Sequence, residues 1–278
     1  MKLDRRLHAY RDDLADESLR GRVDAPRFVQ GVVQQVAAPV ANVHRAPDNT
    51  SAIDTQALMG EVVSVFAVHG SWAWVQLRRD GYVGYVRHDC LNATVHQCTH
   101  RVTVPSTLIF PKADLKSQPV MPLSLNAEID VISRDADYLQ LSRGGFVYAA
   151  HACAMDAFAP DHVAVAEQFL NLPYLWGGKG NGGLDCSGLV QVSMHATGRE
   201  CPRDTDLQEA VLGTTVSLAD AQRGDLVFWK GHVGMTWDEA TLLHANGHHM
   251  MVVKEPLRDA VARSAAKGSA VTSVKRIQ

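Results

Sequence analysis

The sequence has little of what marks membrane proteins and nucleic-acid-binding proteins. No stretch approaches the roughly 20 consecutive apolar residues that a membrane helix requires. Its 27 Lys and Arg residues and 30 Asp and Glu residues leave a net charge of −3, so there is no basic excess to attract nucleic acid. We therefore expect neither a membrane nor a nucleic acid as a partner.

Cysteine is also scarce, and the beginning of the sequence lacks a secretory pattern. The five cysteines are an odd number without paired spacing, which fits reduced thiols better than a disulfide framework. Residues 1–21 carry several charges and no uninterrupted apolar core of the kind found in a signal peptide. Both observations predict a cytosolic location.

The length of 278 residues corresponds to about two domains at ~150 residues each. In an N-terminal arm, residues 1–28, four apolar residues recur at helical spacing and predict an amphipathic helix. They are Leu3, Leu7, Tyr10 and Leu14. The following stretch contains short apolar alternations broken by Gly and Asp, which predict small all-β units.

The β-rich stretch contains an internal repeat. An offset of 64 residues brings seven pairs of similar residues together: Pro47 and Pro111, Trp74 and Tyr138, Gln76 and Gln140, Leu77 and Leu141, Gly81 and Gly145, Tyr82 and Phe146, and Val83 and Val147. The repeat predicts two copies of one β-module, at residues 29–93 and 94–156. Copies of ~60 residues are near the lower limit for an independent core, so we expect each to pack on its neighbour or on the rest of the chain.

Residues 157–278 change to an α+β pattern. Helical spacing predicts one helix within residues 162–170 and another at residues 186–196. Strand-like segments follow at residues 225–229, 232–237, 241–246 and 250–254. We expect one α+β domain here.

The densest cluster of unusual residues surrounds Cys186, the first residue of the second predicted helix. A helix N-terminus favours a thiolate and offers N–H groups to an oxyanion, so we expect a lowered thiol pKa. His232 and His244 flank a turn near Asp238. A hairpin centred on Asp238 would place the two imidazoles directly opposite each other, so one could orient the other. The pattern predicts a nucleophile, a general base and a residue that orients the base.

Two other kinds of site fit this segment poorly. His244, His248 and His249 raise the question of zinc, but the segment is predicted as strand and turn rather than helix. The Gly177-Gly178-Lys179-Gly180 run has no Ser or Thr after the lysine, as a phosphate-binding loop would. We expect no metal and no organic cofactor, and we expect the glycines to let the backbone approach the substrate closely.

Six short stretches share an order and spacing: Tyr174-Leu175-Trp176-Gly177-Gly178, Asp185-Cys186-Ser187-Gly188, Pro202-Arg203-Asp204-Thr205, Gly224-Asp225-Leu226-Val227-Phe228, Gly231-His232-Val233-Gly234 and His244-Ala245. They resemble the NlpC-type cell-wall cysteine peptidases, which are papain-like hydrolases of peptidoglycan stem peptides. The β-modules resemble the bacterial Src-homology-3-type barrels that precede this domain in the subgroup acting on free murein peptides. The resemblance implies an α+β papain-like domain after two SH3-like barrels.

The resemblance also implies residue roles. Cys186 would be the nucleophile, His232 the general base and acid, and His244 the residue that orients it. Tyr174 would assist the oxyanion hole, while four further residues would bind substrate: Tyr82, Ser187, Asp204 and Thr205. Among these, Asp204 would hold the free α-amine, Thr205 would contact the glutamate and Tyr82 would close the amine end. A barrel would then exclude peptides still attached to glycan.

Some assignments have structural alternatives. Asp204 could cap a helix that starts near Thr205, and Tyr82 could be a core residue of the barrel. A second acid at the amine end could be Asp48 or Asp54, which fit equally poorly.

The resemblance implies a cytosolic endopeptidase that recycles murein peptides by cutting after γ-D-glutamate in peptides with a free N-terminal L-alanine. The identity of the third residue, diaminopimelate or lysine, stays open, as does the oligomeric state. One alternative is a murein-peptide binding module without activity. Another is a Cys-His hydrolase that acts on intact peptidoglycan or on another amide.

Overall fold

A computed structural model describes residues 3–277. The chain forms two compact units, which divide between Asp156 and Ala157. Within the described residues, no helix is both long enough and apolar enough to cross a membrane.

The helix predicted for the N-terminal arm is wrong. Residues 3–28 form turns, the short strands β1 (Ala15–Asp16) and β2 (Phe28–Val29), and a 3₁₀ turn at Glu17–Leu19. Arg11 donates to Asp13, and Arg6 donates to Asp4. These ion pairs join residues two apart, which do not face each other on a helix.

The spaced apolar residues of the arm serve tertiary packing instead. Leu14 packs with Phe66 and Trp74 of the first β-module, and Leu3 packs against a second cluster that contains Tyr10. The periodicity therefore marked residues that face a core, with Tyr10 and Leu14 buried and Leu3 and Leu7 half-buried, but it did not indicate the local conformation, because an irregular chain can also direct every third or fourth side chain toward a core.

The first β-module is one seven-stranded sheet with the strand order β5-β4-β8-β7-β6-β3-β9. Its core consists mainly of valine, alanine and leucine side chains from both ends of the sheet. A 3₁₀ turn at His88–Cys90 precedes its last strand. The strands are β3 (Val32–Val36), β4 (Val40–His44), β5 (Ile53–Leu58), β6 (Val62–His69), β7 (Trp72–Leu77), β8 (Val83–Arg87) and β9 (Leu91–Asn92).

The second β-module is built from three small sheets around a core that also includes Met59 of the first module. The repeat is visible at the turns between equivalent strands, where Gly81 and Gly145 have φ values of 77° and 89°. The strands are β10 (His100–Val102), β11 (Ser106–Ile109), β12 (Met121–Ser124), β13 (Glu128–Ile129), β14 (Val131–Asp135), β15 (Tyr138–Leu141), β16 (Phe146–Tyr148) and β17 (Ala152–Ala154), with a 3₁₀ turn at Ala149–His151 before β17.

The second unit packs helices on a six-stranded sheet of order β20-β25-β21-β22-β23-β24, which confirms the α+β class. The helices are α1 (His162–Glu167), α2 (Cys186–Ala196), α3 (Thr205–Val211) and α4 (Leu257–Ala266). The strands are β18 (Lys179–Gly180), β19 (Gly183–Leu184), β20 (Thr214–Val216), β21 (Leu226–Trp229), β22 (His232–Thr236), β23 (Thr241–Asn246), β24 (Met251–Pro256) and β25 (Val271–Arg276), with a 3₁₀ turn at Leu218–Asp220.

Helix α2 has the predicted limits and is buried along its whole length. It packs against β22 and β23, so its first residue lies beside the strands that carry both predicted histidines. The sequence patterns did not predict α4 or β25, and they indicated α3 only as a helix that Asp204 could cap.

Candidate active site

The start of α2 is held by Asp185. One carboxylate oxygen of Asp185, Oδ1, accepts the backbone N–H of Gly188 at 2.7 Å, which caps the helix. The other oxygen, Oδ2, accepts the N–H of Gly177 at 2.8 Å. Cys186 follows the cap directly, so its thiol is placed at the helix N-terminus as the sequence predicts.

Arg203 completes this arrangement and was not singled out from the sequence. Its guanidinium donates to Asp185 Oδ1 at 3.0 Å and to Oδ2 at 2.7 Å, and also to the Ser187 hydroxyl at 2.8 Å. Arg203 is 1% exposed. The pair joins the loop before α2, the helix cap and the segment that leads into α3.

The glycines near the site allow protein segments to approach one another. A Cβ atom on Gly188 would lie 2.2 Å from the carbonyl oxygen of Gly178, and one on Gly178 would lie 2.4 Å from that of Gly183. These contacts give the glycines a role in packing backbone onto α2. The expected role in approaching a substrate is therefore not needed to explain them.

The Cys186 thiol is buried between α3 and β22. Its Sγ accepts the backbone N–H of Val233, the residue after His232, and lies 3.9 Å from Thr205 Oγ1. Burial, followed by the charge of Asp185, raises the pKa of the thiol to about 11. The predicted resting thiolate is therefore wrong, because desolvation outweighs the hydrogen bonds and the positive charge that favour the anion.

The two histidines meet, but not in the predicted register. Met235 lies opposite Leu243 and Thr236 opposite Leu242, which places Gly234 rather than His232 level with His244. The hairpin is centred on Glu239 instead of Asp238, because the Trp237 N–H bonds the Thr241 carbonyl.

His232 and His244 are consequently diagonal neighbours on one face of the sheet. Their Nε2 and Nδ1 atoms are 2.9 Å apart, so one ring donates a hydrogen bond to the other. Gly234 makes room for this contact, since a Cβ there would lie 3.1 Å from the Cβ of His244.

Both imidazoles are uncharged at neutral pH. Burial, reinforced by His244 and Arg263, lowers the pKa of His232 to about 3. Burial also lowers the pKa of His244, although Glu255 opposes the shift. A neutral imidazole carries one lone pair and one N–H, so the pair can accept a proton.

Glu255 and Arg263 lie behind His244, and sequence reasoning missed both. Glu255 Oε1 is 2.7 Å from Nε2 of His244. Arg263 donates to both oxygens of Glu255, with 2.7 Å between Nη1 and Oε2. The pKa of Glu255 lies well below its usual range because hydrogen bonds from His244 and Arg263 outweigh its burial. No sequence motif links these residues, which lie on β24 and α4.

Tyr174 and Thr205 lie near the thiol, as predicted. Burial raises the pKa of Tyr174 well above its usual range, and electrostatic interactions with Cys186 and Asp185 add to the effect. Its hydroxyl therefore keeps its proton and can donate a hydrogen bond. Thr205 is the first residue of α3. The oxyanion and substrate roles remain predictions.

Asp204 occupies the N-cap position of α3, but within the described chain its side chain makes no capping hydrogen bond. Asp204 therefore lies at the capping position, but its carboxylate does not act as the cap. The Ser187 hydroxyl is buried and engaged with Asp185 and Arg203, so its observed contacts are structural. Its role toward a substrate stays a prediction.

Tyr82 lies in the interior of the first β-module. It is 4% exposed and packs in the core of the first β-module with valine and leucine side chains. Its position after the tight turn at Gly81 directs the ring into the module. The burial agrees with the alternative of a core residue, and the contact of Tyr82 with substrate stays a prediction. Asp54, one of the two candidates for a second acid at the amine end, forms an ion pair with Arg45 at 2.6 Å.

The site has a cysteine at the N-terminus of a buried helix, and the neighbouring strand carries a histidine that contacts a second polar residue. This arrangement defines a papain-like cysteine hydrolase. Two family models match the chain: the bacterial dipeptidyl-peptidase Sh3 domain at residues 43–91, and the NlpC/P60 family at residues 171–267.

Full-length relatives support the same assignment. The chain is 31% identical over 217 residues to the gamma-D-glutamyl-L-lysine dipeptidyl-peptidase of Bacillus subtilis, a match that covers 69% of this chain and 72% of the relative. It is 25% identical over 236 residues to dipeptidyl-peptidase 6 of Lysinibacillus sphaericus, covering 76% and 86% of the two chains.

A solved structure shares the fold. The crystal structure of an NlpC/P60 family protein from Bacillus cereus matches with a TM-score of 0.74 at 21% identity, over 88% of this chain and 99% of the other. The chain belongs to the NlpC/P60 family and is a cysteine peptidase with an N-terminal SH3-like domain.

Proposed function

We propose that the protein hydrolyses the bond between γ-D-glutamate and the following L-diamino acid in free murein peptides that begin with an unblocked L-alanine. The observation that carries the proposal is Cys186 at the start of α2, bonded by the N–H that follows His232, with His232 held by His244. The relative named gamma-D-glutamyl-L-lysine dipeptidyl-peptidase supports the bond specificity.

The reaction begins from a neutral pair, because the thiol has a pKa of about 11 and His232 one of about 3. As the sulfur attacks the γ-glutamyl carbonyl, its proton passes to His232. The Tyr174 hydroxyl stabilises the oxyanion. His232 then protonates the leaving amine, and the thioester forms. Water, activated by the same imidazole, hydrolyses the thioester and releases the dipeptide and the thiol.

Recognition of the free N-terminus falls to Asp204. An ammonium group in a closed cleft needs a carboxylate partner, since an unpaired buried charge costs several kcal/mol. Asp204 directly precedes Thr205, whose hydroxyl oxygen lies 3.9 Å from the sulfur. A peptide bound along this segment can reach both groups, with its glutamate near Thr205.

A cytosolic role in recycling murein peptides fits this chemistry. All five cysteines carry free thiols, which suits a reducing compartment. A requirement for a free α-amine would restrict cleavage to peptides already released from glycan. Intact peptidoglycan, the substrate considered as an alternative, has its stem peptides blocked at that end.

A mass-spectrometric digest of defined stem peptides tests the proposal. L-Ala-γ-D-Glu-diaminopimelate and its lysine counterpart are incubated with the full chain or with Cys186→Ala, each peptide free or acetylated at the N-terminus. We expect cleavage of a free peptide by the wild type alone. Binding without cleavage would identify the binding module, equal cleavage of acetylated peptide would indicate a general amide hydrolase, and activity of Cys186→Ala would exclude the mechanism.

A further inference from the structure

The far nitrogen of His244 has two neighbours with opposite requirements. Glu255 Oε1 lies 2.7 Å from Nε2, and Asn246 Nδ2 lies 2.8 Å from the same atom. A carboxylate oxygen can only accept a hydrogen bond, whereas an amide nitrogen can only donate one. In a neutral imidazole, Nε2 has either a proton or a lone pair. Glu255 and Asn246 therefore favour different tautomers of His244.

Asn246 cannot resolve the conflict by turning its amide over. Its Oδ1 accepts the backbone N–H groups of His248 at 3.0 Å and His249 at 2.8 Å. These bonds fix the nitrogen toward His244. Turning the amide would place two N–H donors against its own NH₂ group.

Glu255 forms a stronger hydrogen bond with Nε2 of His244 than Asn246 can. Arg263 donates to both oxygens of the Glu255 carboxylate and keeps it ionised. The Glu255 side chain is 9% exposed. A hydrogen bond to an ionised acceptor is roughly twice as strong as one between neutral groups. The proton of His244 accordingly resides on Nε2.

The tautomer of His244 determines that of His232. With its proton on Nε2, His244 presents a lone pair at Nδ1, which accepts the Nε2–H of His232 across 2.9 Å. Neutral His232 then has its lone pair on Nδ1, the ring nitrogen that does not contact His244, and the proposed function requires this atom to accept the thiol proton. The opposite tautomer would place a proton on Nδ1 of His232 and abolish its function as a base.

We propose that Glu255 is a positioning residue of the peptidase, which competes with Asn246 for His244 and selects the only tautomer pair in which His232 can accept the proton of Cys186. This inference rests on the proposed function for its kinetic consequence. Its structural content, the position of one proton, is independent of turnover.

Three variants of the full chain test the kinetic consequence. Glu255→Ala leaves Asn246 as the neighbour of Nε2 and should lower kcat on the order of 10³-fold, within the range for a general base in the wrong tautomer, with KM changed less than about twofold because no substrate contact is lost. Glu255→Gln retains an acceptor oxygen and should lose about tenfold in kcat.

The decisive variant is Glu255→Ala combined with Asn246→Asp. The new carboxylate keeps Oδ1 for the loop N–H groups and presents an acceptor to Nε2, so kcat should recover at least about tenfold over Glu255→Ala. A merely structural role for Glu255 predicts no recovery. A Glu255→Ala kcat equal to wild type, or no recovery in a double variant with a wild-type melting temperature, would overturn the proposal.

Imidazole ¹⁵N NMR of the wild type and Glu255→Ala supplies a readout without substrate. We expect His244 Nε2 to carry a proton in the wild type and to lose it to Nδ1 in Glu255→Ala. A bare Nε2 in the wild type refutes the inference even if all variants fold poorly. If instead the tautomers are as expected and no murein peptide is cleaved, the proposed function fails alone.

Discussion

Arg203 binds both carboxylate oxygens of Asp185 with almost no access to solvent. The two distances are 3.0 and 2.7 Å, and Arg203 is 1% exposed. Because Asp185 also caps α2, the ion pair fixes the first turn of this helix and therefore the position of Cys186. Arg203 and Cys186 lie in two of the six stretches that resemble the family, and this contact shows how the two stretches are joined in the structure.

Replacing Arg203 by Met should destabilise the second unit by about 3–5 kcal/mol, the usual cost of leaving a buried charge unpaired. Urea unfolding followed by tryptophan fluorescence measures the change. Arg258→Met is the matched control, because Arg258 makes an exposed pair with Asp259 and such pairs contribute about 1 kcal/mol or less. Equal losses in both variants would contradict the importance of the buried pair.

Gly188→Ala should reduce both stability and activity. Alanine normally improves a helix interior by about 1 kcal/mol over glycine, but here its Cβ would lie 2.2 Å from the rigid carbonyl of Gly178. Overpacking of this kind costs about 1–3 kcal/mol and should displace the start of α2.

Gly182→Ala serves as the control for this clash, since a Cβ at Gly182 meets nothing within 4 Å. Thermal unfolding and peptide cleavage should be close to wild type in this variant. A Gly188→Ala protein as stable and active as Gly182→Ala would refute the packing role of the glycine.

Burial of His232 makes folding sensitive to acid. Its pKa is about 3 in the folded state, against about 6.5 in an unfolded chain. Below pH 6.5 the unfolded state therefore binds more protons, and stability falls as the pH decreases toward 3. Above pH 6.5 the contribution is fully present.

His232→Gln removes this titration. The loss for the wild type between pH 6.5 and pH 4 is at most about 3 kcal/mol from this residue, so the free energies of unfolding of the two proteins should converge by that amount on acidification. Urea titrations at several pH values measure it. Parallel curves for the two proteins would show that His232 is not buried as a neutral imidazole.

Asp204→Asn tests recognition of the free amine. Losing one partner of a buried charge pair costs about 2–5 kcal/mol, so kcat/KM for peptides with a free N-terminus should fall by about 10²-fold or more. Cleavage of acetylated peptides should change little, and discrimination between the two should shrink. An unchanged preference for the free amine would assign its recognition to another residue.

Tyr174→Phe removes the proposed donor to the oxyanion. One such donor contributes about 10²–10³-fold to kcat, so kcat should decrease by that factor with little effect on KM. Steady-state kinetics on the free peptide measures both constants. An unaffected kcat would indicate that backbone N–H groups at the start of α2, and not Tyr174, stabilise the oxyanion.

Local signals explain which features could be predicted from the sequence. Helical spacing predicted α2 at residues 186–196 because this pattern is local to the segment, and the cap at Asp185 lies directly before it. The α+β class followed from the same kind of pattern. The repeat paired Gly81 with Gly145, and both lie at equivalent turns with positive φ, which glycine readily adopts.

Features that depend on contacts distant in sequence were missed or misjudged. The hairpin between His232 and His244 is centred one residue later than predicted, which shifts the register by two residues. Tyr82 could be a core or a surface residue until the module closed around it. Glu255 and Arg263 meet His244 only because β24 pairs with β23 and α4 follows β24.

The amino-acid sequence by itself determined the candidate nucleophile, the helix at whose start it lies and the two imidazoles, because residue type and short-range spacing encode them. Only the tertiary structure decided their protonation, the partner of His244 and the ion pair beneath Cys186. Desolvation and charge neighbours set these properties, and both arise when segments far apart in the chain exclude water together.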